Sequence, residues 1–137
     1  MDAKERQDVA YFLSFCIEQY KVAKGLTGRE AAHVLNDYGV LEYNLQHPQR
    51  RAGKNEALSL LRQEITQDNI HLILPCKVCR IADLVCQDGK VDLIQAIMKV
   101  YDSQTYERLA IEETKEWHLG PVDLLSDLRA ESKKSVN

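Results

Sequence analysis

The chain carries no basic excess, no long apolar run and no glycine-rich loop, and each lack removes a class of function. Lysine and arginine total 18 against 21 aspartates and glutamates, a net charge of -3. A sequence-independent grip on phosphates needs clustered basic side chains. The single basic cluster here, His47 to Lys54, is short and lies where the helical pattern is weakest, so it reads as a solvated linker. Spanning a bilayer takes roughly 20 apolar residues, and the longest candidate, Ile70 to Val78, is interrupted by His71, Pro75 and Lys77. The charged opening Met1-Asp2-Ala3-Lys4-Glu5-Arg6 does not read as a signal peptide. Four cysteines in this context read as reduced thiols, and the expected location is the cytoplasm. Gly25-x-x-Gly28 is too short for a phosphate loop and leaves a helix, not a strand.

What remains is an ordinary folding composition, 45% hydrophobic and 28% charged over 137 residues, enough for one small core. Its apolar residues keep helical time. Val9, Phe12, Leu13, Cys16, Ile17 and Tyr20 trace one face of a first helix. Tyr11, Phe15 and Val22 lie on another flank, an apolar strip that needs a cover. Thr27-Gly28-Arg29-Glu30 is a capping box. It opens a helix with Ala31, Val34, Leu35 and Tyr38 inward, which Gly39 ends in the left-handed conformation. Val40, Leu41 and Tyr43 read as one further turn, and residues 44–54 as a linker. Asn55 caps a connecting helix over 55–74, with Leu58, Leu61 and Ile65 on one side.

From Pro75 the first pattern returns. Val78, Ile81, Ala82 and Val85 repeat the spacing of Leu13, Cys16, Ile17 and Tyr20. After Gly89, Ile94, Ile97, Met98 and Tyr101 repeat Ala31, Val34, Leu35 and Tyr38, and Tyr106 follows Tyr101 as Tyr43 follows Tyr38. All four tyrosines are expected to face inward. Residues 114–119 read as a short strand or hairpin. Pro121 then opens a last helix with Leu124, Leu125 and Leu128 inward, and 132–137 read as a disordered tail. The expected fold is mostly α, a small bundle of about six helices from two related helix-turn-helix-like units. The first, over 1–43, is truncated, and the second spans 75–131.

The segments Phe12-Leu13-Ser14-Phe15-Cys16-Ile17-Glu18-Gln19-Tyr20, Gly25 to Ala31 and Tyr38-Gly39-Val40-Leu41-Glu42-Tyr43 resemble a family of short bacterial domains of unknown function. Members are typically encoded beside proteins with an ADP-ribosyltransferase-like fold. The resemblance implies a toxin with its antitoxin or accessory subunit. The second half, through Tyr101 to Leu109 and Thr114 to Pro121, is similar to a neighbouring group of equally small proteins. Family members continue past the second tyrosine into a final strand and helix, which the Pro48 and Arg50-Arg51 linker replaces here. The resemblance therefore implies a first unit that borrows core from the second.

Candidate chemistry is sparse. Cys76-x-x-Cys79, with Cys86 and His71 nearby, is the one pair at metal-ligand spacing. A structural zinc site takes four ligands, usually from two paired motifs, and core packing is the stronger reading, ahead of zinc and redox chemistry. The four histidines are scattered. No catalytic, cofactor-binding or metal residue is expected. The expected function is a non-enzymatic protein-binding module, antitoxin-like, that restrains an ADP-ribosyltransferase-like toxin. Candidate partner contacts are Tyr11, Phe15, Val22, Trp117 and His118, with a homodimer as a further arrangement. The alternative is a helix-turn-helix DNA-binding regulator reading a groove with Arg29 to Tyr38, where Arg29 and His33 are the only basic groups.

Overall fold

The computed structural model describes residues 2–47, 64–89 and 91–135, side chains being described up to Lys133. Its elements are α1 (Ala3–Lys24), α2 (Gly28–Asp37), α3 (Val40–Gln46), α4 (Leu74–Gly89), α5 (Leu93–Tyr101), α6 (Gln104–Leu109) and α7 (Pro121–Ser135). Short 3-10 turns occupy Ile70–Leu72, Glu112–Thr114 and Glu116–His118. Among the described residues there is no strand, and the fold is a small all-α bundle.

Each helix starts and stops for a local reason. Asp2 caps α1, accepting from the Glu5 N–H at 2.8 Å, and Gly25 ends it at φ +65°. Thr27 and Glu30 close the expected box on α2. Asp92 and Gln95 close a second box on α5 that the sequence reading passed over. Ser103 caps α6 through Tyr106 N–H. Pro121 begins α7, where a missing N–H costs nothing.

The long helices α1 and α4 form the central pair. Val9, Leu13 and Ile17 of α1 and Leu74, Val78, Ile81 and Ala82 of α4 belong to one continuous core. Around it sit Ala31, Ala32 and Leu35 of α2, Leu41 of α3, Ala96, Ile97 and Val100 of α5, and Leu124, Leu125 and Leu128 of α7. Each fully buried aliphatic side chain contributes about 1.5–3 kcal/mol relative to exposure. The halves thus share a single core.

Several expectations need correction. Residues 114–119 form no strand. Lys115, at φ +60°, separates two 3-10 turns whose N–H groups bond locally, Lys115 to Glu112 and Leu119 to Glu116. Within the expected connecting helix, 55–63 lie outside the described residues. The described part, 64–73, is a loop and the 3-10 turn, because Asn69 folds back on Thr66 and Glu64. Asn44 to Gln46 belong to α3 rather than a linker, and α7 continues through Ser135 where a disordered tail was expected. Tyr38 and Tyr43 point outward, 82% and 63% exposed, while Tyr101 and Tyr106 are buried. Gly39, at φ +76°, redirects the chain between α2 and α3. The inward positions fall instead on Leu35 and Leu41.

Gly28, buried at the start of α2, lies so close to Tyr106 that any added Cβ would collide with the phenol ring. Gly28→Ala is therefore expected to cost about 1–3 kcal/mol by overpacking, read as a lower urea midpoint. Gly120→Ala, with open space around it, should stay within about 0.5 kcal/mol of the parent.

Candidate binding surfaces and the buried polar knot

The densest chemistry in the structure is buried. Glu18, fully inaccessible on α1, replaces an apolar side chain on the helix's inner face. Its Oε2 accepts from the Tyr101 hydroxyl at 2.8 Å and the Tyr106 hydroxyl at 2.5 Å. Its Oε1 pairs with Lys21 Nζ at 2.6 Å. Lys21 also donates to the Tyr106 hydroxyl at 3.1 Å, and Ser14 Oγ lies 2.7 Å from that of Tyr101. The two phenol rings are 4.5 Å apart. Burial, reinforced by the Glu18 charge, raises both phenols well above their ordinary range, so they stay protonated as donors. The two phenol donors and the Lys21 charge offset part of the cost of leaving water, while among the described residues Oε1 has its ion pair and no further hydrogen bond. The knot ties α1 to α5 and α6 through side chains 83 and 88 residues apart in sequence.

A second buried carboxylate repeats the device. Asp83 on α4 accepts from Arg6 Nε at 2.7 Å, Gln7 Nε2 at 3.0 Å and Gln87 Nε2 at 3.1 Å. At the surface, Arg29 Nη2 donates to the Asp102 carbonyl at 2.5 Å and pairs with Glu107 at 3.1 Å, while His33 Nε2 lies 2.5 Å from Asp102 Oδ1. Glu131 of α7 reaches the start of α6 and accepts from Gln104 N–H, Thr105 N–H and the Thr105 hydroxyl. Partial burial would raise its pKa, but these hydrogen bonds outweigh it and hold the carboxyl below its usual range. An open groove of about 940 Å³ runs beside this contact, between the end of α4 and α7. Its charged rim (Asp88, Lys99, Arg108, Asp127, Arg129 and Glu131) mixes both signs, and Asp88 pairs with Arg129 across it.

The expected partner contacts divide. Tyr11 is buried at 3% exposure, which corrects its place in a partner surface, and Phe15 is half-buried against the core. Val22 is exposed. Trp117 is half-buried, with its indole N–H donating to the Glu112 carbonyl at 3.2 Å. His118 is exposed and stacks on Trp117 with centroids 3.8 Å apart. Tyr38 and Tyr43, read from spacing as core, are exposed, and Tyr43 stacks on His47 at 4.5 Å. Their outward turn had one sequence signal, the glycine between them. The role of Glu18 had another, a lone acid on an otherwise apolar helix face.

Residues 11–47 match a family described as a protein of unknown function (DUF3791). No curated protein and no solved structure matches the chain. The matched stretch starts within α1 and closes one residue beyond α3, so it coincides with the first three-helix set. No helix among the described residues is long and apolar enough to cross a membrane.

The cysteines do not assemble. Cys76, Cys79 and Cys86 sit on α4, where the Cys79 thiol donates to the Cys76 carbonyl at 3.3 Å. Cys16 stands on α1 beside Asn44, and burial pushes its thiol up to about 11. Among the described residues, no group of three or more metal-binding side chains converges.

Two outcomes follow from the knot. Tyr106→Phe removes a donor to a buried carboxylate and should lower unfolding free energy by about 1.5–3 kcal/mol, whereas Tyr43→Phe should be neutral. His71 has its pKa lowered from 6.5 by burial, with Lys21 also lowering it and Glu18 opposing. The unfolded chain then takes the proton first, so acidification through the ordinary value favours unfolding. Melting curves from neutral pH to about pH 5 should show His71→Gln losing less stability than the parent.

Proposed function

We propose that this chain is a non-enzymatic protein-binding module, an antitoxin-like or accessory subunit that docks on an ADP-ribosyltransferase-like partner. The observation that carries the binding role is the pair of exposed tyrosines, Tyr38 and Tyr43, flanking Gly39, with Val22 also exposed in the same half. Tyrosine supplies a large, stiff contact with one polar end, which makes it a frequent interface anchor. The Trp117–His118 stack is a second candidate contact. The partner class rests on the family resemblance of the helices that carry the tyrosines. In this reading the module covers the partner's nucleotide cleft or holds it misaligned.

The regulator reading has weaker support. Arg29 and His33, the basic groups of the candidate recognition helix, are both engaged by Asp102, and Arg29 by Glu107 as well. Reading a groove would require those contacts to be given up.

The test is a pull-down of the tagged chain from its own host. Recovery of one stoichiometric protein with an ADP-ribosyltransferase-like sequence is expected. Tyr38→Ala with Tyr43→Ala should weaken that complex at least about tenfold, as interface anchors do, while leaving the melting temperature nearly unchanged. Nucleic acid co-purifying at low salt, with no protein partner, would sink the proposal and favour the regulator.

A further inference from the structure

The three helices of the family match occur twice, and one constant step of 65 residues relates the sets. Val9 maps to Leu74, Leu13 to Val78, Ile17 to Ala82, Ala31 to Ala96, Leu35 to Val100 and Leu41 to Tyr106, all of them buried. Of the thirteen residues buried in 2–47, eleven have buried counterparts, and the other two counterparts, Cys76 and Lys77, are half-buried. The caps agree as well: Thr27 maps to Asp92 and Glu30 to Gln95, the two ends of each capping box. This step replaces the tyrosine pairing suggested by spacing, which would set the exposed Tyr38 against the buried Tyr101.

Shared apolar spacing is cheap, because any two amphipathic helices have it. A buried acid is not, since it survives only where partners are supplied. Glu18 and Asp83 are such acids, and they stand at the same step of 65. Both are answered from the opposite half, Asp83 by Arg6 and Gln7, Glu18 by Tyr101 and Tyr106. The counterpart of Arg6 is His71, and it lies within the electrostatic reach of Glu18. The sequence repeat also continues, at a step of 67: Leu58-Ser59, Leu61-Arg62 and Glu64 recur as Leu125-Ser126, Leu128-Arg129 and Glu131.

The packing has the matching symmetry. The start of α1 meets the later part of α4 at Arg6 and Asp83, while the 3-10 turn that leads into α4 packs on α1 with His71 in the field of Glu18 and Lys21, so the two helices run antiparallel. Counterpart touches counterpart, α1 against α4 and α2 against α5. A twofold axis makes contacts reciprocal, and elements that lie beside the axis meet their own counterparts in this way.

We propose that the chain is two copies of one helical unit fused in tandem about an approximate twofold axis. The α1 face bearing Val9, Leu13 and Ile17 is the unit's docking surface, and its partner is a second unit of the same fold. Here α4 occupies that face, and residues 76–112 are the counterpart of the matched 11–47. Of the apolar strip, Tyr11 is buried and Phe15 half-buried within the chain, and Val22 alone stays exposed.

The experiment is an experimental structure of the intact chain, with residues 9–45 superposed on 74–110, together with sedimentation across a wide concentration range. Best superposition at the step of 65, through a rotation near a half-turn, is the expected result, with a monomer in solution. Best superposition at a step of 63, or a relation by translation alone, would overturn the proposal. A concentration-dependent dimer in which α1 docks on a second chain instead of α4 would overturn it too. No variant is needed, so misfolding cannot obscure the outcome, and none of these results depends on whether a toxin partner exists.

Discussion

A carboxylate buried without access to water has to be answered, and the answer to Glu18 organises this molecule. Its own helix supplies Lys21 and, through the Tyr101 hydroxyl, Ser14. The remaining donors come from Tyr101 and Tyr106, 83 and 88 residues away in sequence. Those hydroxyls set the rotation of α1 against α5 and α6, and the Tyr106 ring sets how closely α2 can approach, since it leaves room only for a glycine at position 28. Apolar burial supplies most of the stability of such a core. The polar knot supplies register, because a helix sliding by one residue would leave the acid unpaired.

Much of the helical layout was legible in the sequence, for reasons that are local. Helix stops at Gly25 and Gly39, the Thr27–Glu30 box and the Pro121 start depend on residues within a turn of one another. Leu124, Leu125 and Leu128 are inward because helical spacing alone places them there. The errors arose where tertiary context decides. Thr114 to Leu119 has strand-like composition, but no neighbouring strand exists among the described residues to receive its backbone, and Lys115 turns the chain instead. Tyr38 and Tyr101 share a spacing and part company in space because one ends its helix beside a glycine and the other finishes a turn over Glu18.

The candidate surface was less legible than the core. A tyrosine carries the same apolar mass whether it faces in or out, so periodicity cannot separate an anchor from a filler. Tyr11 was set on an uncovered flank because helical spacing does not show what packs against a face; the structure buries it. Glu131 closes the start of α6, while α3 begins at Gly39 with no side-chain cap among the described residues.

The separation between Glu18 and its tyrosines also constrains the order in which the chain can mature. A ribosome releases α1 long before Tyr101 and Tyr106 exist, and chains begin folding from the N-terminus during synthesis. Until both phenols emerge, packing α1 inward would strand a charged acid in an apolar setting. The first half must therefore wait, hydrated at Glu18, and it consolidates only once the tyrosines of the second half have been made. A nascent chain halted before Tyr106 would expose the Val9, Leu13 and Ile17 face to whatever chaperone or sister chain is nearby.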